Sequence, residues 1–258
     1  MKKILVPTDF SKHAEYALRV AAQIARKNNS EIILLHMIEL PHQGNDAIGT
    51  GKDLPEIMLF KNRAIERLED LMDEDFLDGI EVSEVIQFEK AFNGVLNISK
   101  KNEVDFVVMG SHGASGFNEM LIGSNTEKVV RYSEVPVLVV KSEMPEFKAD
   151  SFVFASDFSE EIKKPFAKML DFAKGYGSHL NLVMINTPNS FKSTIAAEKI
   201  MNDFIKVEKG ILNFSNTVKA DIIGMCTHGR TGFAHFFNGS ISEDLVNHAA
   251  RPVITFKI

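Results

Sequence analysis

The chain has 258 residues, of which 45% are hydrophobic and 25% charged, so it can bury one large core or two small ones. Its formal net charge of −6 argues against a non-specific nucleic-acid binder, which would carry a basic surface excess. The single cysteine, Cys226, excludes an intrachain disulfide framework and fits a reducing compartment.

The amino-terminal sequence MKKILVPTDF begins like a secretory signal, but Pro7 and Asp9 end its apolar run well short of a signal's hydrophobic region. No apolar stretch in the sequence approaches the length of a membrane span. We therefore expect a cytoplasmic protein that has neither nucleic acid nor a membrane among its partners.

Predicted strands and helices alternate through the first half of the chain. A short apolar strand at 4–6 comes first, and Ser11 then caps a helix whose small and apolar residues share one face. A continuous apolar run at 32–38 is typical of a strand buried on both faces. A helix over about 54–73 and strands at 82–88, 106–110 and 135–140 follow. This alternation predicts a doubly wound α/β fold with a parallel sheet. The residues on the buried face of the first helix are Ala14, Ala17, Leu18, Ala21 and Ala25.

The same sequence pattern occurs twice. VPTDFS from Val6 resembles FASDFS from Phe154, 148 positions later, and SHGASGF from Ser111 resembles THGRTGF from Thr227, 116 positions later. These matches predict two tandem domains, 1–143 and 150–258, joined by a short polar segment. Because the spacing falls by 32 positions, the second domain is shortened between 185 and 210, where one helix at about 194–209 fits. Either this domain lacks an edge strand, or a stretch is missing from the sequence.

A glycine-containing loop follows the predicted strand at 106–110. It has glycines at positions 110, 113 and 123 and leads to Ser124, a predicted helix cap, with Glu127 placed to complete a capping box. Glycines let backbone amides approach a ligand closely, and a helix N-terminus favours anions, so this loop could hold a nucleotide phosphate. The alternative is structural: the capping box satisfies the amides, as Ser240 and Glu243 would in the second copy, and the glycines only turn the chain.

Asp9 and Asp157 follow the first strand of each copy. A carboxylate at the carboxyl end of a parallel strand could accept a hydrogen bond from a ribose hydroxyl or an adenine amine. It could equally cap the following helix in an Asx turn. Ser111 and His112 suggest a nucleophile beside a base, but sequence neighbours rarely point at each other, so we expect them to shape the loop. No metal site is predicted.

The motif VPTDFS after a first strand, followed by G-x2-G-x9-G-S before the last helix and strand, resembles the universal stress protein family. The resemblance covers both halves and implies a tandem member with two Rossmann-like domains. Each sheet would have the strand order 3-2-1-4-5, the second lacking a strand, and ATP would lie across the strand ends. Family members commonly pair through their last strands, so the two halves would form a pseudo-dimer within one chain, and two chains could form a homodimer.

Carried over residue by residue, the resemblance assigns an ATP site to the first domain, with Mg²⁺ as the accompanying ion. Asp9 would contact ribose or adenine, Met37 would lie against the adenine, and the glycine loop would hold the ribose and phosphates. The full set is Pro7, Thr8, Asp9, Met37, Met109, Gly110, Gly113, Gly123, Ser124, Asn125 and Thr126. A weaker second site would comprise Asp157, Ile185, Gly229, Gly239 and Ser240, with Cys226 replacing the first glycine and obstructing the pocket.

These expectations favour an ATP-binding stress-response protein that acts by binding and conformational signalling. No residue set in the sequence resembles an efficient hydrolytic centre, so slow ATP hydrolysis is the most that we expect. The alternative is a nucleotide-independent protein-interaction module whose glycine loops are structural.

Overall fold

The computed structural model describes residues 1–39, 54–112, 123–156, 162–183, 218–227 and 246–257. Within these ranges strands and helices alternate, as the sequence pattern predicts. The first half contains β1 (Lys3–Thr8), α1 (Lys12–Asn28), β2 (Glu31–Met37), α2 (Leu54–Met72), a 3-10 turn (Asp75–Leu77), β3 (Val82–Gln87), α3 (Ala91–Lys101), β4 (Phe106–Gly110), α4 (Ser124–Tyr132) and β5 (Val137–Val140). The second half contains β6 (Ser151–Ala155), α5 (Lys163–Tyr176), β7 (His179–Val183), β8 (Ile222–Thr227) and β9 (Val253–Lys257).

Helix α1 shows how local sequence defines an element. Ser11, its N-cap, has an extended backbone, and Ser11 Oγ accepts a hydrogen bond from the Ala14 amide. Asn29 ends the helix in the left-handed conformation at φ 52°, and its amide donates to the Ala25 carbonyl oxygen. The predicted apolar face is buried, so α1 packs along β1 and β4 through small side chains that allow close approach.

The strands of the first half are parallel and lie in the order β3-β2-β1-β4-β5, which is the order that the resemblance implies. Helices α1 and α2 cover one face of this sheet, where Ile4, Val6 and Val108 are buried. Helices α3 and α4 cover the other face, where Leu5 and Met109 are buried. The doubly wound α/β fold predicted from the sequence is therefore confirmed.

The described strands of the second half follow the same plan, in the order β7-β6-β8-β9, with parallel neighbours. In chain order, β6, β7, β8 and β9 are the counterparts of β1, β2, β4 and β5. Within 162–183, 218–227 and 246–257, no counterpart of β3 is present. The predicted shortening at 185–210 and the predicted helix at 194–209 lie outside the described residues.

The two halves meet at their last strands. Strand β5 pairs antiparallel with β9, with Val137 opposite Thr255 and Val139 opposite Val253, so the nine strands of the described residues form one continuous sheet. Thr255 Oγ1 donates to the Val137 carbonyl oxygen across this junction at 3.4 Å. The pairing of last strands that the resemblance implies is thus present within the chain.

The segment between the two halves packs against α1. Gln23 of α1 accepts a hydrogen bond from the Phe147 amide at 2.7 Å and donates to the Met144 carbonyl oxygen at 3.5 Å. Phe147 is buried, and its ring meets the ring of Tyr176 in α5 edge-on. Helix α1 therefore contacts the connecting segment, which in turn contacts the second half. The boundaries 1–143 and 150–258 stay a prediction.

Candidate functional site

The candidate site lies where the winding of the sheet changes direction. Strands β1 and β4 are neighbours at its centre, and the helices that follow them, α1 and α4, pack on opposite faces. The turns after the two strands consequently diverge and leave a crevice at their carboxyl ends, where open α/β sheets bind ligands. Asp9 follows β1 and Gly110 ends β4, so both predicted residues lie at this crevice.

The turn after β1 is held by its own side chains. Thr8 Oγ1 accepts a hydrogen bond from the Phe10 amide, and Asp9 Oδ1 accepts one from the Ser11 amide, each at 3.0 Å. The Asx turn, which is the structural alternative for Asp9, is therefore present. Asp9 is nevertheless exposed, and because a carboxylate has several lone pairs, this hydrogen bond is compatible with a ligand contact.

Phe10 is a feature of this turn that the sequence analysis did not identify. Its backbone is left-handed at φ 63°, which is uncommon for a residue other than glycine. The centroid of its ring lies 4.6 Å from that of His36 in β2 and 4.1 Å from Arg67 Cζ in α2. His36 Nδ1 in turn lies 2.8 Å from the Thr8 carbonyl oxygen, so the contact between Phe10 and His36 supports the turn. The sequence contains one indication that Phe10 matters, because it recurs as Phe158 in the FASDFS motif.

Gly110 ends β4 directly against the first turn of α1. A Cβ at this position would lie 2.7 Å from the carbonyl carbon and oxygen of His13 and 2.9 Å from His13 Cβ. These distances are too short for a close-packed interior, and two of the three atoms are backbone. Gly110 therefore lets α1 pack against the end of β4, a structural role besides the ligand contact that the resemblance implies.

Helix α4 begins without a side-chain cap. Its N-cap is Gly123, at φ −63° and ψ 145°. The predicted capping box is therefore wrong: Ser124 is the first helical residue, so its side chain is not placed to cap the turn, and Glu127 lies one position too late. The Glu127 amide donates to the Gly123 carbonyl oxygen, and its carboxylate pairs with Arg131 at 3.7 Å. The structural alternative for this loop loses its main support, since Ser124 and Asn125 are exposed at the helix start.

Two hydrogen bonds close the base of the glycine loop. The Gly123 amide donates to the Ser111 carbonyl oxygen at 2.8 Å, and Thr126 Oγ1 donates to the Gly110 carbonyl oxygen at 3.0 Å. The Ser111 amide donates to the Val140 carbonyl oxygen of β5. The N-terminus of α4 is thus fixed to the end of β4. Gly113 lies outside the described residues.

Four further predicted site residues lie at the ends of strands β1, β2 and β4. Met37 ends β2, and its thioether packs against Gly94 of α3, where a Cβ would overlap the Met37 side chain. The Met37 side chain therefore belongs to the core, while its backbone stays at the strand end. Met109 and Thr8 are buried, and Pro7 is half-buried in β1. Their contacts with an adenine stay a prediction.

Ser111 and His112 point at each other, contrary to the expectation from their adjacency. Ser111 Oγ lies 3.0 Å from His112 Nδ1, and the His112 ring centroid lies 5.2 Å from that of His13. Ser111 is 1% exposed, so its hydroxyl is poorly placed to reach a substrate. These contacts join the start of the loop to α1, which agrees with a loop-shaping role.

The predicted second site lies outside the described residues. Its members are Asp157, Ile185, Gly229, Gly239 and Ser240. Cys226, the counterpart of Gly110, is described within β8 and is half-buried. The second site therefore stays a prediction.

The ranges that the structure describes contain no group of three or more histidine, cysteine, aspartate or glutamate residues that could hold a metal ion. In the same part of the chain, every helix is too short or too polar to cross a membrane.

The fold and the crevice define a Rossmann-like α/β protein with its candidate site at a central switch point. The sequence profile of the universal stress protein family matches residues 1–141 and 194–257. Since this match spans most of its length, the chain belongs to the universal stress protein family.

Two relatives and one solved structure illustrate this membership. A universal stress protein of Methanocaldococcus jannaschii is 36% identical over 155 residues, which cover 54% of this chain and 94% of that protein. A universal stress protein of Synechocystis is 23% identical, and the similarity covers 100% of both chains. The crystal structure of a universal stress protein from Archaeoglobus fulgidus has a TM-score of 0.75 and 24% identity, covering 99% of this chain and 96% of its own. This structural likeness supports the fold alone.

Proposed function

We propose that the chain binds an adenine nucleotide, with ATP as the expected ligand, in the crevice between β1 and β4. It acts in the stress response by binding and conformational signalling rather than by efficient catalysis. The observation that carries this proposal is the start of α4, which has a glycine N-cap, no side-chain cap and a position at the end of central strand β4.

The phosphates would bind at this helix start. The first-turn amides of an α-helix have no partner within the helix, and the helix dipole favours an anion there. Gly123 adds no side chain, and the neighbouring residues Ser124 and Asn125 are exposed, so an anion can approach. Glu127 is the acidic residue of the first turn, and its pairing with Arg131 partly offsets its repulsion of a phosphate.

The nucleoside would bind across the ends of β1 and β2. Asp9 is exposed and oriented by the Ser11 amide, and its carboxylate can accept a hydrogen bond from a ribose hydroxyl or an adenine amine. The backbone of Met37 would read the edge of the base, as the resemblance implies. Mg²⁺ would accompany the phosphates, whose oxygen atoms are the ligands that it prefers.

Signalling would pass through the continuous sheet. Strands β5 and β9 are each paired on both sides within the chain, because β5 lies between β4 and β9, and β9 lies between β5 and β8. A homodimer would therefore need a surface other than these last strands. We place the protein in the cytoplasm, and we expect at most slow turnover of ATP, because the Ser111 hydroxyl, which lies 3.0 Å from His112 Nδ1, is buried.

A nucleotide-independent interaction module is the second candidate function. Two observations favour it: Asp9 forms a local Asx turn, and Gly110 is required for the packing of His13. Both residues would then serve the fold alone, and the purified protein would bind no ATP.

Calorimetric titration with magnesium-ATP separates the two functions. Gly123→Val is the decisive variant, because the φ and ψ of Gly123 suit any residue, so the new side chain obstructs the amides without straining the backbone. We expect the wild type to bind ATP and Gly123→Val to bind at least about tenfold more weakly, a loss of about 1.4 kcal/mol. Gly239→Val, the corresponding change in the second copy, is the matched control and should keep this binding. A wild type that binds no ATP would favour the interaction module.

A further inference from the structure

Thr126 differs from the other residues at the start of α4. Ser124 and Asn125 are exposed, whereas Thr126 is 4% exposed and its hydroxyl donates to the carbonyl oxygen of Gly110, 16 positions earlier. The resemblance placed Thr126 among the residues that contact the nucleotide. Burial and this hydrogen bond direct its side chain into the protein instead, toward the end of β4.

We propose that Thr126 is a positioning residue of the phosphate site, holding the N-terminus of α4 in place against the end of β4. The inference rests on the proposed nucleotide binding and adds the residue that orients the binding amides. Thr126 itself does not touch the ligand in this arrangement.

Gly110 packs against the backbone of His13 in α1, so its carbonyl group belongs to the fixed junction between β4 and α1. The Thr126 hydroxyl ties α4 to this junction at 3.0 Å, and the Gly123 amide ties it to Ser111 at 2.8 Å. These two bonds fix both the position and the direction of the first helical turn. The amides are therefore held relative to Asp9, at the other side of the crevice.

The Thr126 hydroxyl does not bond to its own helix. A threonine in the first turn can bond backbone groups of its own helix, and such bonds compete with other partners of the backbone. Here the Thr126 hydroxyl donates to another element, and α4 has no side-chain cap. The same side chain thus anchors the helix and leaves its first amides available to an anion.

The repeated sequence retains this hydroxyl. The residue 116 positions after Thr126 is Ser242, whereas the residue 116 positions after Asn125 is Ile241. A serine can donate the same hydrogen bond. The second copy therefore keeps the hydroxyl group that our inference requires, whereas the residue that corresponds to Asn125 differs.

The test compares ligands that do and do not carry phosphates. Thr126→Val keeps the shape of the side chain and removes its donor, and Thr126→Ser keeps the donor. We expect Thr126→Val to weaken ATP binding about fivefold to tenfold, as the loss of one buried hydrogen bond would. Its affinity for adenosine should stay at the wild-type value, and Thr126→Ser should restore the affinity for ATP. Calorimetric competition between ATP and adenosine measures the ratio of the two affinities.

The matched control is Thr255→Val, which removes a buried threonine hydroxyl bonded to the Val137 carbonyl oxygen at the junction of β5 and β9. It should leave the ratio of ATP to adenosine affinity unchanged even if it lowers stability. A merely structural role of Thr126 would likewise lower stability without changing the ratio in the folded protein. If Thr126→Val does not fold, Thr126→Ala and Thr126→Ser form the same comparison, with loss expected for alanine alone.

The outcomes separate the two claims. A wild type that binds no ATP overturns the proposed function, and the role of Thr126 with it. A wild type that binds ATP, together with a Thr126→Val variant of unchanged ATP-to-adenosine ratio, overturns the positioning role and leaves nucleotide binding standing. A selective loss of ATP affinity in Thr126→Val that Thr126→Ser restores supports both the nucleotide binding and the positioning role.

Discussion

The two halves of the chain share one sheet plan but fill it with different side chains. In the first half, Val6 of β1 and Val108 of β4 lie in the core beneath α1. At the corresponding positions of the second half, Phe154 of β6 lies opposite Gly224 of β8. Relative to the first half, the position on β6 has a larger side chain, and the facing position on β8 has none.

Gly224 shows that this exchange is enforced by packing. A Cβ at Gly224 would lie 2.6 and 2.7 Å from ring atoms of Phe152 and 3.3 Å from a ring atom of Phe154. Both rings are fully buried and meet phenylalanines of α5. Because interiors are close-packed, large side chains on β6 require their neighbour on β8 to have none. The repeat therefore preserves the backbone plan and the filling of the core rather than individual residues.

The halves also differ where the crevice forms. Gly110 admits the backbone of His13, but its counterpart Cys226 carries a side chain. The close approach of helix and strand seen in the first half is therefore tied to its glycine, and this difference supports our proposal that the nucleotide binds to the first half.

Exchanging the core of one half for that of the other should give the largest effect. Gly224→Val inserts a side chain against the Phe152 ring and should lower the free energy of unfolding by about 2–3 kcal/mol. Phe152→Ile removes buried ring volume and should cost about 1–3 kcal/mol. The double variant recreates the first-half pair, Ile4 with Val108. It should therefore be at least about 1 kcal/mol more stable than the sum of the single losses predicts.

Urea unfolding followed by circular dichroism measures all three variants, a suitable method because the chain has no tryptophan. The reverse exchange, Ile4→Phe with Val108→Gly, is the matched control in the first half. If the losses in either pair were simply additive, the two positions would not share a packing constraint, and the volume exchange would be refuted.

Gly110→Ala should have the next largest effect. Its Cβ would collide with the backbone of His13, which cannot rotate away as a side chain can, so we expect a loss of about 1–3 kcal/mol. Cys226→Ala removes one sulfur atom at a half-buried position and should change stability by less than about 1 kcal/mol. The urea midpoints of the two variants provide the comparison. Equal losses would mean that the two strand ends are packed alike.

The smallest expected effect is a pH dependence at the junction between the halves. Lys141 follows β5, and its Nζ donates to the Asn247 carbonyl oxygen of the second half at 2.6 Å. Although this bond favours the ammonium, burial dominates and lowers the pKa of Lys141 from 10.5 to about 8. The unfolded chain therefore binds more protons between pH 8 and 10.5, and the contribution of Lys141 to stability rises through this range.

Lys141→Met removes this titration. Because Lys141 is partly exposed and solvent screens its charge, we expect the wild type to gain only about 1 kcal/mol relative to the variant between pH 8 and 10. Burial also raises the pKa of Tyr176 to about 12, which lowers stability above pH 10, but both proteins contain this tyrosine and the difference cancels. Urea unfolding at each pH measures the gain. Parallel pH profiles for the two proteins would show that Lys141 does not titrate in this range.

Local sequence patterns predicted much of the fold. The apolar strands and the cap at Ser11 depend on residues close together in the chain, so their patterns identified β1, α1, β2, β3, β4 and β5. The two copies were visible because their motifs recur at fixed spacings. The strand order, by contrast, came from the family resemblance, since alternation alone does not determine which parallel strands are neighbours.

The errors and omissions at the site have a common physical cause. Ser124 has the sequence signature of a cap, but the hydrogen bond from the Gly123 amide to Ser111 sets the helix start one residue earlier. The ring contact between Phe10 and His36 and the hydrogen bond between Thr126 and Gly110 also join residues far apart in sequence. Such contacts exist only after the sheet has formed, so no local pattern contains them.

The number of ATP molecules bound per chain tests the central claim most directly. Equilibrium dialysis of the full chain over a series of magnesium-ATP concentrations gives this number and the dissociation constant for the wild type, Gly123→Val and Gly239→Val. Our account predicts about one ATP per chain for the wild type and for Gly239→Val, and a dissociation constant at least about tenfold higher for Gly123→Val. Absence of ATP from the wild type, or binding that survives Gly123→Val and disappears in Gly239→Val, would contradict a nucleotide site at the start of α4.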